Sequence, residues 1–225
     1  MSTLQTLDRG LRALDVISQS PGGISIADLA GELQIHRAIC YRIVSTLEAH
    51  LLVSRMDDGR IRLAAGVAVL ASRFEPQFTR DARPILHRLA NETHATAFVS
   101  AAEGQEAVVV MVSEPDDVVL TVSYRVGSRH PLDVGAAGIA ILAGRPEQPG
   151  ESEAVRQARR DGYSLTRGEL ERGAVGVSTA LKLPPGLSPA IERSVGVVAI
   201  DGLDTELAAV AIMRTARQLE NLLGA

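Results

Sequence analysis

The chain has 225 residues, 46% of them hydrophobic and 22% charged, which is enough for one large domain or two small ones with cores of their own and excludes wholesale disorder. A single cysteine, Cys40, excludes a disulfide framework and a cysteine-based zinc cluster. The net charge is only −4, with nine arginines against eight acidic residues in 1–80 and 14 basic against 19 acidic beyond, so bulk charge alone does not point to nucleic acid. The longest apolar run, 134–143, falls well short of a membrane span. The opening MSTLQTLDRG lacks a basic segment followed by an apolar one, so the expectation is a soluble, cytoplasmic protein with no membrane partner.

Three helical patterns open the chain. Leu7, Leu11, Leu14 and Ile17 recur at helical spacing, with Thr6 as the expected N-cap and Ser20-Pro21-Gly22-Gly23 as the stop. Ser25 with Asp28 forms a weaker version of the capping box, Ile24 and Leu29 fit a hydrophobic staple, and this second helix ends near Leu33. A tight turn, Gln34-Ile35, leads to a third helix over about 36–50. There Cys40, Ile43, Val44 and Leu47 form a core face, and Arg37, Ala38, Tyr41, Arg42 and Ser45 lie opposite.

Two alternating arms, 51–56 and 60–63, flank Asp57-Asp58-Gly59, a hairpin signal. Val53, Ile61 and Leu63 face in; Arg60 and Arg62 face out. Residues 66–80 read as a connecting helix, with Pro76 as a break and domain boundary. A helix around 84–93 follows, then strands at 96–102, 107–113 and 118–125 and a glycine-rich helix start at Gly135 to Gly138. A helix near 151–161, strands at 174–181 and 194–200 and a last helix over 204–223 complete the pattern. The proline-rich 183–189 is a loop. The mixture is α+β.

A helix–turn–helix followed by a hairpin is what a winged DNA reader needs: a polar helix face for the major groove and wing arginines for phosphates. The plainer alternative is a three-helix bundle with a solvated face. Gly135-Ala136-Ala137-Gly138 allows either a ligand at exposed backbone N–H groups, where the helix dipole favours an anion, or simple close packing. Leu132, Leu142, Val175 and Val177 are the expected apolar walls. Enzyme signals are poor: there is no GxSxG, HExxH, P-loop or Rossmann glycine pattern, and no cofactor is implied. His36 and Cys40 have a metal-compatible spacing without further ligands, and His130 would serve as a general base only beside a nucleophile such as Ser123 or Ser128.

The segments LDRGLRALDVIS, ISIADLAGELQIHRAICYRIVSTLEAHLLVSR and GRIRL resemble the winged helix of IclR-type transcriptional regulators. VGSRHPLDVGAAGIAILA and GYSLTRGELERGAVGVSTAL are similar to that family's later segments, in the right order. The resemblance implies a winged helix-turn-helix over 1–65, a linker helix over 66–80, and a GAF-like effector-binding and oligomerisation domain with an antiparallel sheet over 81–225. It implies a homodimer or homotetramer on double-stranded operator DNA, contacting it through Ser25, Arg37, Ala38, Tyr41, Arg42, Ser45, Arg60 and Arg62. The operator affinity would respond to a small molecule, an organic acid or related carbonyl compound. Its expected site is Leu132, Gly135, Ala136, Ala137, Gly138, Val175, Val177, Ala199 and Asp201. Asp133, Ile139, Thr166, Gly176, Ala199 and Asp201 depart from residues usual in the family, which implies a more apolar effector or an unresponsive site. The alternative is a GAF-like binding protein or hydrolase with a vestigial helical head.

Overall fold

The computed structural model describes residues 4–73, 76–117, 124–182, 191–200 and 202–223. The chain forms two compact units, residues 1–76 and 77–225.

In the first unit, α1 (Gln5–Ser18), α2 (Ile26–Glu32) and α3 (Arg37–Ala49) are followed by a hairpin of β1 (Val53–Arg55) and β2 (Ile61–Leu63), then α4 (Ala65–Ser72). The first helix starts before Thr6: its N-cap is Leu4, and no side chain caps it. Ser25 does cap α2. Its hydroxyl accepts from the Asp28 N–H at 3.1 Å and donates to the Asp28 carboxylate at 2.6 Å. The α2–α3 turn is a Schellman motif, with Gln34 N–H on the Gly31 carbonyl and Ile35 N–H on the Ala30 carbonyl, both at 3.0 Å. It puts Gln34 at φ 53°, a left-handed position a glycine would fill more easily. Ala13, Leu29, Cys40, Val44 and Ile61 are buried in the common core. Ile24 bridges to Ile61, tying the α1–α2 connection to the hairpin.

The second unit holds α5 (Pro76–Thr93), β3 (Thr96–Glu103), β4 (Glu106–Ser113), β5 (Arg129–Pro131), α6 (Gly135–Gly144), α7 (Glu153–Asp161), β6 (Ser164–Arg167), β7 (Ala174–Ala180), β8 (Arg193–Ile200) and α8 (Thr205–Leu223). The sheet is antiparallel throughout, in the order β5-β4-β3-β8-β7-β6. On one face Leu86, Leu89, Ile212 and Leu219 of α5 and α8 pack on Val99, Val177, Val195 and Val197. On the other, Ala137 and Ile141 of α6 meet Phe98, Val109 and Leu132. The unit is α+β with a GAF-like arrangement of helices on a curled antiparallel sheet.

Further elements differ from those read in the sequence. The connecting helix ends at Ser72, and Pro76 opens α5 rather than breaking a helix. Proline suits a first helical position, where its missing N–H has no acceptor to lose. The helix expected around 84–93 therefore begins earlier, and Pro84 sits in its interior on the exposed side. Strands β5 and β6, three and four residues long, are not among the expected elements. The strand expected over 118–125 and the loop at 183–189 fall mainly outside the described residues.

Candidate functional site

Helix α3 owes its two faces to periodicity. Cys40, Ile43, Val44 and Leu47 are buried, while Arg37, Ala38, Tyr41, Arg42 and Ser45 are exposed, Tyr41 to 51%. Among the described residues neither the Arg37 nor the Arg42 side chain has a protein partner. The wing arginines are more constrained. Arg60 reaches the Gly22 carbonyl at 3.4 Å and Asp58 at 3.6 Å, and Arg62 donates to the Ser54 hydroxyl at 3.3 Å. The wing turn is a three-residue loop in which Gly59 takes φ 81° and Met56 N–H bonds the Arg60 carbonyl. Ser25 is committed to its own helix cap. A cleft between the helices brings Arg9 of α1 beside His36 and Arg37, a cation absent from the predicted interface.

The second unit contains a cavity of about 250 Å³ between the start of α6, the sheet face beneath it and the β6–β7 loop. Ala136 and Ala137 line it, as expected. The other expected walls lie elsewhere. Side chains on a strand alternate between faces, and here Ala174, Gly176 and Val198 face the cavity. Val177 and Ala199 therefore belong to the core under α5 and α8, and Val175 is absent from the cavity lining. Leu132 packs in the core between α6 and the sheet, and Leu142 lies toward Val155 and Ala158 with Ile139. Asp201 lies outside the described residues. Gly138 has a packing role: a Cβ there would come within 2.5 Å of the Leu132 carbonyl oxygen. Gly135, at φ 78°, lies against Leu170, and its N–H donates to the Glu169 carboxylate at 2.8 Å.

Residues absent from the predicted site complete the lining, among them Phe98, Tyr124, Ser128, His130, Thr166 and Glu169. Gly196, opposite Phe98, makes room for its ring, and Phe98 meets Tyr124 edge-on with centroids 4.8 Å apart. His130, 6% exposed, has Nδ1 at 3.0 Å from the Pro131 carbonyl and Nε2 at 3.2 Å from the Tyr124 hydroxyl. A carbonyl only accepts, so Nδ1 carries a proton, and Nε2 shares a hydrogen bond with the phenol. Burial pushes the Tyr124 phenol up to about 12, with the nearby Ser100 hydroxyl pulling the other way. Both His130 nitrogens are thus taken. The Ser128 hydroxyl instead accepts from the Arg125 N–H at 3.2 Å, and Ser123 lies outside the described residues. Cys40 is fully buried while His36 is exposed, and no group of three metal-ligating side chains occurs among the described residues. No described helix is long and apolar enough to cross a membrane.

The family model of the IclR helix-turn-helix domain matches residues 6–56, and that of the bacterial transcriptional regulator IclR C-terminal domain matches residues 76–154. The chain is 31% identical to the HTH-type transcriptional regulator Rv1719 of Mycobacterium tuberculosis, over 69% of this chain and 58% of that one. It is 30% identical to the HTH-type transcriptional repressor AllR of Salmonella typhi, over 61% and 52%. It thus spans a little over half the length of these curated relatives. Its fold matches the IclR transcriptional regulator of Alicyclobacillus acidocaldarius with a TM-score of 0.79 at 19% identity, covering 99% of this chain and all of that one. An IclR homolog from Microbacterium hydrocarbonoxydans, crystallised with 4-hydroxybenzoate, matches with a TM-score of 0.78 at 19% identity over 97% and 99% of the two chains. The two family models together cover more than half of the sequence, in the order the winged helix and sheet domain require, and the chain belongs to the IclR family of transcriptional regulators.

Proposed function

We propose that the chain is a ligand-responsive transcriptional regulator. Residues 1–65 read operator DNA, 66–80 link, and 81–225 bind a small-molecule effector and support assembly. The observation that carries the reading is α3: two guanidinium groups and a tyrosine on one exposed face, the guanidiniums without protein partners among the described residues, on a helix held rigidly from behind. In a major groove Arg37, Tyr41 and Arg42 approach base edges, where a good bidentate contact contributes about 1–3 kcal/mol of discrimination. Arg62 and Arg60 approach phosphates. Leu7 and Leu11 on α1 and Val69 and Leu70 on α4 are exposed apolar residues that a second copy would cover in a homodimer or homotetramer.

The cavity at α6 is the effector site, for an organic acid or related carbonyl compound. The relative crystallised with 4-hydroxybenzoate supports a ligand of this size. A cytoplasmic location follows from operator binding. The ligand acts only through a difference in affinity between two states of the protein, typically about 1–3 kcal/mol.

The test is a titration of the full chain with an operator obtained by in-vitro selection and with scrambled DNA. The double variant Arg37→Ala/Arg42→Ala should lose its preference for operator. Arg62→Ala should keep the preference and flatten the salt dependence by about one unit of log–log slope. Operator binding by the double variant as tight as wild type would show that α3 is not the reader.

A further inference from the structure

Resting on the reading of the α6 cavity as the effector site, we propose that it selects an uncharged carbonyl compound and discriminates against carboxylates. The reason is that the protein already supplies the carboxylate. The first N–H groups of a helix have no intrahelical acceptor and attract anions. At α6 the Gly135 N–H is bonded to Glu169 at 2.8 Å. The β6–β7 loop that carries Glu169 also seats Leu170 against Gly135, so close that a Cβ on Gly135 would lie 2.8 Å from its Cδ1.

The remaining charges point the same way. Glu171 also lines the cavity. The arginine in the lining, Arg129, lies 3.4 Å from Glu106 with 65% of its side chain exposed. His130 has both ring nitrogens engaged within the protein, by the Pro131 carbonyl and the Tyr124 hydroxyl. An arriving carboxylate therefore meets two carboxylates and no uncommitted cation among the described lining residues.

What the cavity offers is hydrogen bonding without charge. Thr166 is 8% exposed, faces the cavity, and its hydroxyl has no protein partner among the described residues. The N–H groups of Ala136 and Ala137 belong to the same unpaired first turn. Phe98 and Val198 give an apolar floor. A ligand carbonyl oxygen accepts from the helix start while a flat hydrocarbon body lies on the floor.

The experiment measures binding of two matched pairs to the full chain by calorimetry: 4-hydroxybenzoate with 4-hydroxybenzamide, and butyrate with butyramide. A like charge within a few ångströms changes an ionisation equilibrium by about one to three powers of ten, and the exposure of Glu169 places it at the lower end. At least one amide should bind wild type about tenfold more tightly than its acid. Glu169→Gln keeps an acceptor for Gly135 and removes the charge, so the preference should shrink to about threefold or less. Acid binding equal to or tighter than amide binding in wild type, or an unchanged ratio in the variant, overturns the proposal. Ala174→Leu, at the cavity rim, separates the two readings. Acid binding that this variant abolishes leaves the effector site standing and refutes only the uncharged class. Binding of none of the four probes to wild type refutes the site and the proposal together.

Discussion

Adding one methyl group at Gly138 should destabilise the second unit, although it replaces a poor helix former with the best one. In an open helix interior the Gly→Ala exchange gains about 1 kcal/mol. At Gly138 the new Cβ would lie 2.5 Å from the Leu132 carbonyl oxygen and 2.7 Å from the Leu132 Cα, both backbone atoms that cannot swing aside. Either α6 or the β5–α6 connection must shift, and overpacking of this kind costs about 1–3 kcal/mol or more, enough to outweigh the propensity gain. The expected net loss is about 1–2 kcal/mol, or roughly 2–8 °C in Tm for a unit of this size. Gly10→Ala is the internal control. It lies in α1 with nothing within 4 Å of where the new methyl would sit, so the same exchange should stabilise the first unit by up to about 1 kcal/mol. Scanning calorimetry with hydrogen exchange assigns each change to its unit. A Gly138→Ala protein as stable as wild type would refute the close approach that fixes the start of α6.

Ser25→Ala should cost the first unit about 1 kcal/mol in urea unfolding through loss of the α2 cap, with little change in operator affinity at temperatures where it is folded, because the hydroxyl is engaged by Asp28. Gln34→Gly should instead stabilise that unit by about 1 kcal/mol, since Gln34 sits at φ 53° where glycine is unstrained; a destabilised variant would show that the Gln34 side chain supplies more than the conformation costs. Burial pushes the Glu151 carboxyl up, but the Gln148 N–H at 3.0 Å and Arg159 at 2.7 Å outweigh it and hold the group below the usual carboxylate range. A lowered folded-state value means stability that is present above the ordinary range and lost as pH falls through the lowered one. Stability curves of wild type and Glu151→Gln should therefore converge on acidification, and a constant gap would remove the ion pair from the account.

The first unit was legible because its signals are local and mutually consistent. The cap at Ser25, the core face of α3 and the wing turn each rest on residues within a few positions of one another. The misplaced elements lack such local signals. Leu4 starts α1 with no capping side chain to announce it, so Thr6 reads as the better candidate. Pro76 is compatible both with a break and with a first helical position, and only the packing of Phe78 and Ala82 under the sheet selects the second. The short strands β5 and β6 exist because β4 and β7 offer them an edge, a pairing between segments that no window of the sequence contains.

The residues predicted for the effector site share Ala136 and Ala137 with the cavity but miss its strand residues. On β7 the sequence AVGVSTA suggests Val175 and Val177 as walls because they are the large apolar residues, yet a strand buried on both faces must assign its large and small residues to different sides. Here Val177 goes under α5 and α8, where helices can pack on it, and Val175 lies outside the cavity lining. The small ones, Ala174 and Gly176, go toward α6, and their lack of bulk is what leaves the space. A methyl at Gly176 would already approach the Ala136 Cβ to 3.2 Å and the Thr166 hydroxyl oxygen to 3.4 Å, so the floor has no room for anything larger. The same logic applies on β8, where Val198 faces the cavity and Val197 the opposite core. Because side-chain direction has a period of two, a one-residue error exchanges the whole set. For a sheet covered on both faces, a cavity is therefore sought where a strand's small residues line up with a helix start, not where its large ones cluster.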